Sequence, residues 1–276
     1  LPISLKNDPL WMFLVGPPGS GKTLLVESFI NCHDQTIYMS KITRPALVSG
    51  FRGEEDYSVL DKLPGKCLVV KDFTAILGMP MATQLEIFGI LRDVFDGHCV
   101  VPFGNMEPKV YVNCHFSNIS AVTDAIRKYN LADLGERFLK MELLDESTHD
   151  PDKHVLTALS AIEDDISKKA SQEEFLRDSV QAFMSRPFDE TKLPKLPDWL
   201  KLRLAAISQL CAHIRAVVAK GSGGELSYRP RPEVGTRLAK QLAKLARCLC
   251  WVFDKKKIDE DVYRLVAKVA CDTILG

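Results

Sequence analysis

No apolar run in this 276-residue chain approaches the roughly 20 residues that a membrane-spanning helix needs. The charged, apolar and small-residue succession of a signal peptide is missing as well. Neither sign of charge is in excess: 36 basic residues meet 36 acidic ones, for a formal net charge of +0. That balance argues against a surface coated in basic residues and leaves only local patches for contact with nucleic acid. The eight cysteines include no C-x-x-C pair, and no nearby histidine completes a zinc set. Most lie inside apolar runs, the pattern of reduced, buried thiols in a cytoplasmic protein. No internal repeat is evident. The chain opens on Leu1 rather than methionine and reaches its first motif within fifteen residues. We therefore expect a piece of a longer protein, with a preceding region or partner that selects the substrate.

What is present is 46% hydrophobic residue content, enough for a sizeable core. In the first half, short apolar runs alternate with helical patterns, as in a parallel α/β sheet. Strands are predicted at WMFLV (11–15), TIYMS (36–40), CLVVKD (67–72), KVYVNCHF (109–116) and FLKMELL (138–144). Between them, 22–30, 82–95 and 120–129 read as helices, the last with Ser120 as its N-cap and Asp124 in its first turn. After about residue 146 the strand signal stops, and helices are predicted near 155–168, 172–185, 197–219, 235–253 and 259–274. The breakers 147–154, 186–197 and 220–232 separate them. The expected division is 1–146 and 147–276. In 235–253, Leu238, Leu242, Leu245, Leu249 and Val252 share one face, and Arg237, Lys240, Lys244 and Arg247 form a basic stripe read as mostly solvated.

The sharpest signal is VGPPGSGKT. Its Gly16-Pro17-Pro18-Gly19-Ser20-Gly21-Lys22-Thr23 fits G-x-x-x-x-G-K-[ST] completely, between an apolar strand and an amphipathic helix. Glycines let the backbone curl so that successive N–H groups point at phosphate oxygens, and a helix N-terminus favours anions. Lys22 would then reach the β- and γ-phosphates of ATP, with the Thr23 hydroxyl on Mg²⁺.

A hydrolase of this kind also needs an acid at the end of a buried neighbouring strand. CLVVKD supplies Asp72 as the Mg²⁺-linked acid, but Phe73 stands where a glutamate often polarises the attacking water. In a second alignment Lys71 replaces the first acid and Asp72 stands in the place of the second. The first is preferred, because Lys71 beside Mg²⁺ would set like charges together. Thr74 is placed near the γ-phosphate or its water.

With these motifs in order, the chain resembles an AAA+ ATPase. The resemblance implies a P-loop αβα sandwich with a five-stranded parallel sheet, followed by an all-α lid domain. VYVNCHFSN (110–118) is similar to the sensor-1 strand, making Asn118 the residue near the γ-phosphate, with Ser117 and Asn113 behind it. LGERF (134–138) resembles the arginine-finger segment, so Arg137 would reach the nucleotide of a neighbouring subunit. The stretches 233–250 and 256–274 resemble the lid of MCM-type helicases and their relatives, with Arg237 as sensor 2. What this implies is a MgATP-hydrolysing, helicase-like motor in DNA replication or a mobile element. It would assemble as a homo-oligomeric ring, for instance a hexamer, acting on DNA. Two other readings stand beside it. One is an ATP-controlled switch or scaffold with weak hydrolysis, favoured by Phe73. The other is a protein-remodelling motor presenting Phe51 or Tyr57 to a central pore.

Overall fold

The computed structural model describes residues 8–49, 58–104, 106–128, 137–143, 156, 159, 166–216 and 232–274. Its centre is a five-stranded parallel sheet of β1 (Trp11–Val15), β2 (Thr36–Met39), β3 (Cys67–Val70), β6 (Ser117–Val122) and β7 (Phe138–Glu142), in the order β2-β3-β6-β1-β7. A separate antiparallel hairpin, β4 (His98–Phe103) and β5 (Met106–Val112), lies between β3 and β6 in the chain. The α-helices among the described residues are α1 (Lys22–Glu27), α2 (Arg44–Leu47), α3 (Thr74–Leu77), α4 (Met81–Phe95), α5 (Ile166–Met184), α6 (Asp198–Ile214), α7 (Thr236–Val252) and α8 (Glu260–Ile274).

Side chains alternate across a strand, and here the alternation sorts the cores. Trp11, Phe13 and Val15 of β1, with Leu68 and Val70 of β3, enter one core shared with α4 and the hairpin. On the other face, Leu14 and Val69 pack with Val26 of α1, while Leu10 joins the core of α6, α7 and α8. Both faces are covered, which is why the strands read as continuous apolar runs. The edge strand β7 is closed by α8: Thr273 Oγ1 accepts from Lys140 N at 2.9 Å, and Asp272 Oδ2 from Glu142 N at 3.0 Å. Those side chains satisfy N–H groups that an open edge would leave to water or to another chain. No helix among the described residues is long and apolar enough to cross a membrane.

Two sequence expectations change. Only the first half of the run 109–116 is strand, in the hairpin strand β5, and the fourth strand of the sheet is 117–122. The helix expected from Ser120 is therefore strand as far as Val122, followed by a 3-10 turn over Asp124–Lys128. Ser120 is fully buried, flanked by Ile119, Ala121 and Val122, so its capping signal belonged to a residue inside the sheet. The break placed at 146, most of the helix expected at 155–168, and Phe51 and Tyr57 lie outside the described residues. All eight cysteines are free; seven are buried and Cys271 is exposed. Burial pushes the Cys67 and Cys99 thiols up to about 12, which keeps them protonated.

Candidate nucleotide site

The loop after β1 is tied to the adjacent strand, Gly16 N donating to Val122 O at 3.3 Å. Gly19 and Gly21 have φ of +83° and +79°, left-handed values that a side chain would strain. These two turns curl the loop around Lys22, which is 9% exposed. Its ammonium donates to Gly16 O at 2.7 Å, Pro17 O at 2.6 Å and Ser20 Oγ at 3.1 Å. Burial lowers the Lys22 pKa, and the nearby Asp124 and Asp72 carboxylates act against that shift. Thr23, exposed, follows at the start of α1.

The loop forms one wall of a cavity of about 700 Å³. The other wall comes from the residues just past β3 and β6, Lys71, Asp72, Thr74 and Thr123, with Glu173 of α5. Parallel strands bring these ends together, because every C-terminus points the same way. Asp72 Oδ1 accepts from Thr74 N at 2.9 Å, which fixes the turn into α3. Thr123 N donates to Thr74 Oγ1 at 3.1 Å, and the two hydroxyls lie 3.4 Å apart. Phe73 turns the opposite way. It is fully buried and meets Phe13 and Phe138 at 4.8 and 5.8 Å between ring centres. Lys71, Asp72 and Thr74 thus line the cavity after β3, with Phe73 turned away from it. Lys71 is paired there with Glu27 of α1, whose Oε1 lies 2.7 Å from Lys71 Nζ.

The predicted residues therefore divide. Gly16 to Thr23, Asp72 and Thr74 come together. Asn118, Arg137 and Arg237 do not join them. Asn118 pairs with Trp11 at the start of β1, whereas the loop follows Val15 at its end. Those positions are roughly 13 Å apart along the strand, at about 3.3 Å per residue. Asn118 is 2% exposed and accepts from Ser120 Oγ at 2.7 Å. Arg137 lies at the same far end, just before Phe138, which also pairs with Trp11. It is 8% exposed, bonds Asp96 Oδ2 at 2.7 Å and stacks on Phe95 at 5.5 Å. Arg237 approaches the same ring at 5.8 Å. Both guanidiniums brace the end of α4. In the basic stripe, Lys244 is buried and donates to Asp8 O at 3.2 Å, and Arg247 Nε donates to Pro194 O at 3.3 Å.

Thr123, Glu27 and Glu173 were missed as cavity residues. For Thr123 a signal existed: the two alternating runs around PFGNMEP mark a hairpin, which moves the sheet strand on to 117–122 and its tip to Thr123. Nothing local marked Glu27 or Glu173, since their place depends on how helices pack. In comparison with known proteins, the chain matches no family model and no curated protein.

Proposed function

We propose that the chain binds MgATP in this cavity and is a P-loop ATPase of the AAA+ type. One observation carries the reading: a complete G-x-x-x-x-G-K-T loop, with Lys22 curled inside it, faces the strand ends that bear Asp72, Thr74 and Thr123. A volume of about 700 Å³ suits a nucleotide. In binding, Lys22 would trade its loop carbonyls for phosphate oxygens, a charge-assisted exchange. Magnesium brought in with the phosphates would neutralise their charge. Thr23 and Asp72 are the residues that would face it. Magnesium usually keeps several waters and takes only one or two protein ligands beside the phosphates. Thr123, held against Thr74, takes the water-positioning role that the resemblance assigns to Asn118. Glu173 on α5 links the helical part to the cavity, the contact through which a lid would respond to nucleotide.

Assembly into a ring and work on DNA are part of the proposal and rest on the resemblance. Lys240, Lys256 and Lys257 are exposed and available to phosphates. A second reading, a nucleotide-controlled switch with weak turnover, is favoured by Phe73 lying in the core, where no acid can stand in for the glutamate. The test is equilibrium binding of a fluorescent ATP analogue together with steady-state hydrolysis, with and without single-stranded DNA. Lys22→Ala should weaken binding at least about tenfold, as expected for a lost charged contact. Turnover above that variant, stimulated by DNA, supports the motor; binding without turnover supports the switch. Stimulation by an unfolded protein instead of DNA would favour remodelling, and no binding by the wild type would overturn all three.

A further inference from the structure

The strand end that ought to carry two acids carries a cation instead, and that cation is already engaged. Lys71 N donates to Met39 O at 2.9 Å, which anchors its backbone beside β2. Its ammonium meets Glu27 Oε1 at 2.7 Å, and both residues line the cavity of the Gly16–Thr23 loop. Glu27 stands four residues after Thr23 on α1, hence on the same side of the helix, one turn from the hydroxyl assigned to magnesium. The cavity has two other carboxylates. Asp72 is exposed and holds the Thr74 amide, and Glu173 lies 3.6 Å from Arg177. Glu27 has the more shielded side chain, 24% exposed against 35% for Glu173. The bond to Glu27 raises the Lys71 pKa, so the ammonium stays charged across the neutral range.

We propose that Lys71 and Glu27 exchange partners when nucleotide binds: the ammonium goes to the terminal phosphate, and the freed carboxylate serves the magnesium side of the site beside Thr23. This inference rests on the nucleotide reading above and assigns the site its preference for a triphosphate. A diphosphate lacks the third phosphate that would compete with Glu27, so the pair stays closed. The arrangement brings a second carboxylate, on the helix, to the metal side that Asp72 serves from the strand. It also makes that carboxylate available only when the third phosphate has neutralised Lys71. A salt bridge of this exposure is weak enough to open, because solvent already competes for both partners.

The experiment measures dissociation constants of fluorescent ATP and ADP analogues, in magnesium and in EDTA, for the wild type, Lys71→Met and Glu27→Gln. Lys71→Met should lose at least about tenfold in ATP affinity, the size of one charged hydrogen bond, and leave ADP affinity in EDTA unchanged. Glu27→Gln should shrink the ratio of ATP affinity with magnesium to that without it. If either single variant melts early because a charge is left alone, the double variant Glu27→Gln/Lys71→Met removes both charges and should show both effects. Equal losses for ATP and ADP, or an unchanged magnesium ratio, would overturn the exchange. Those results differ from failure of the nucleotide reading, in which the wild type binds neither analogue or Lys22→Ala binds both normally.

Discussion

At the residue scale, Lys22 and Lys140 show how burial uses the same side chain differently. Lys22 gives its ammonium to three oxygens of its own loop, bonds that a phosphate can replace. Lys140 lies on the edge strand β7. Burial, and after it repulsion from Arg215 and Arg127, brings its pKa from 10.5 to about 8, against the pull of Glu142. Between those values the unfolded chain holds a proton that the folded chain has released. The Lys140 contribution to stability therefore rises as pH climbs from about 8 towards 10.5, and its cost is full below about 8. Lys140→Met should raise the melting temperature relative to wild type most near pH 7. The gap should shrink through that window, and a gap independent of pH would contradict the assignment. Phe73 shows how local spacing misleads. Its neighbours Lys71 and Asp72 face the cavity, while it fills the aromatic core with Phe13 and Phe138. A string of letters does not say where a strand ends and a turn redirects the next side chain.

At the element scale, α7 was legible because its apolar residues recur at three- and four-residue steps. The observed α7 and α8 ends lie within a residue of those expected. The fourth strand was not legible in the same way, since 109–116 and 117–122 are both strand-like and only pairing tells hairpin from sheet. Packing between helices also leaves tight places. A methyl group on Gly235, at the start of α7, would lie 2.5 Å from the backbone oxygen of Ser208 in α6. Backbone cannot yield as a side-chain tip does, so Gly235→Ala should cost about 1–3 kcal/mol of stability, the usual range for overpacking. Chemical denaturation would read this as a lower midpoint with an unchanged slope. A wild-type midpoint would mean that α6 and α7 are free to separate.

At the scale of the whole molecule, the sheet has an end that opens on the cavity and an end braced by arginines. The loop, Asp72, Thr74 and Thr123 occupy the first. Asn118, Arg137 and Arg237 occupy or approach the second, where Arg137 and Arg237 close on Phe95. Held by Asp96 and Phe95 of its own chain, Arg137 is engaged away from a neighbour, and mixing Arg137→Ala with Lys22→Ala subunits should restore no ATP hydrolysis. The Arg137→Ala protein should instead lose about 1–3 kcal/mol of stability, from the broken contacts to Asp96 and Phe95. Activity recovered in the mixture would show that Arg137 reaches a neighbouring nucleotide after all.

The glycine- and lysine-bearing loop after β1, the alternation of strands and helices, and the amphipathic C-terminal helices were legible in the sequence alone. Each is a local pattern: a fixed spacing of glycines and lysine, a period of two, a period near 3.6. Which acids and hydroxyls stand opposite Lys22 was decided only in three dimensions. Glu27 and Lys71 are 44 residues apart and Thr74 and Thr123 are 49 apart. They meet because parallel strands deliver their ends to one edge of the sheet, and no pattern within either stretch encodes the other's position.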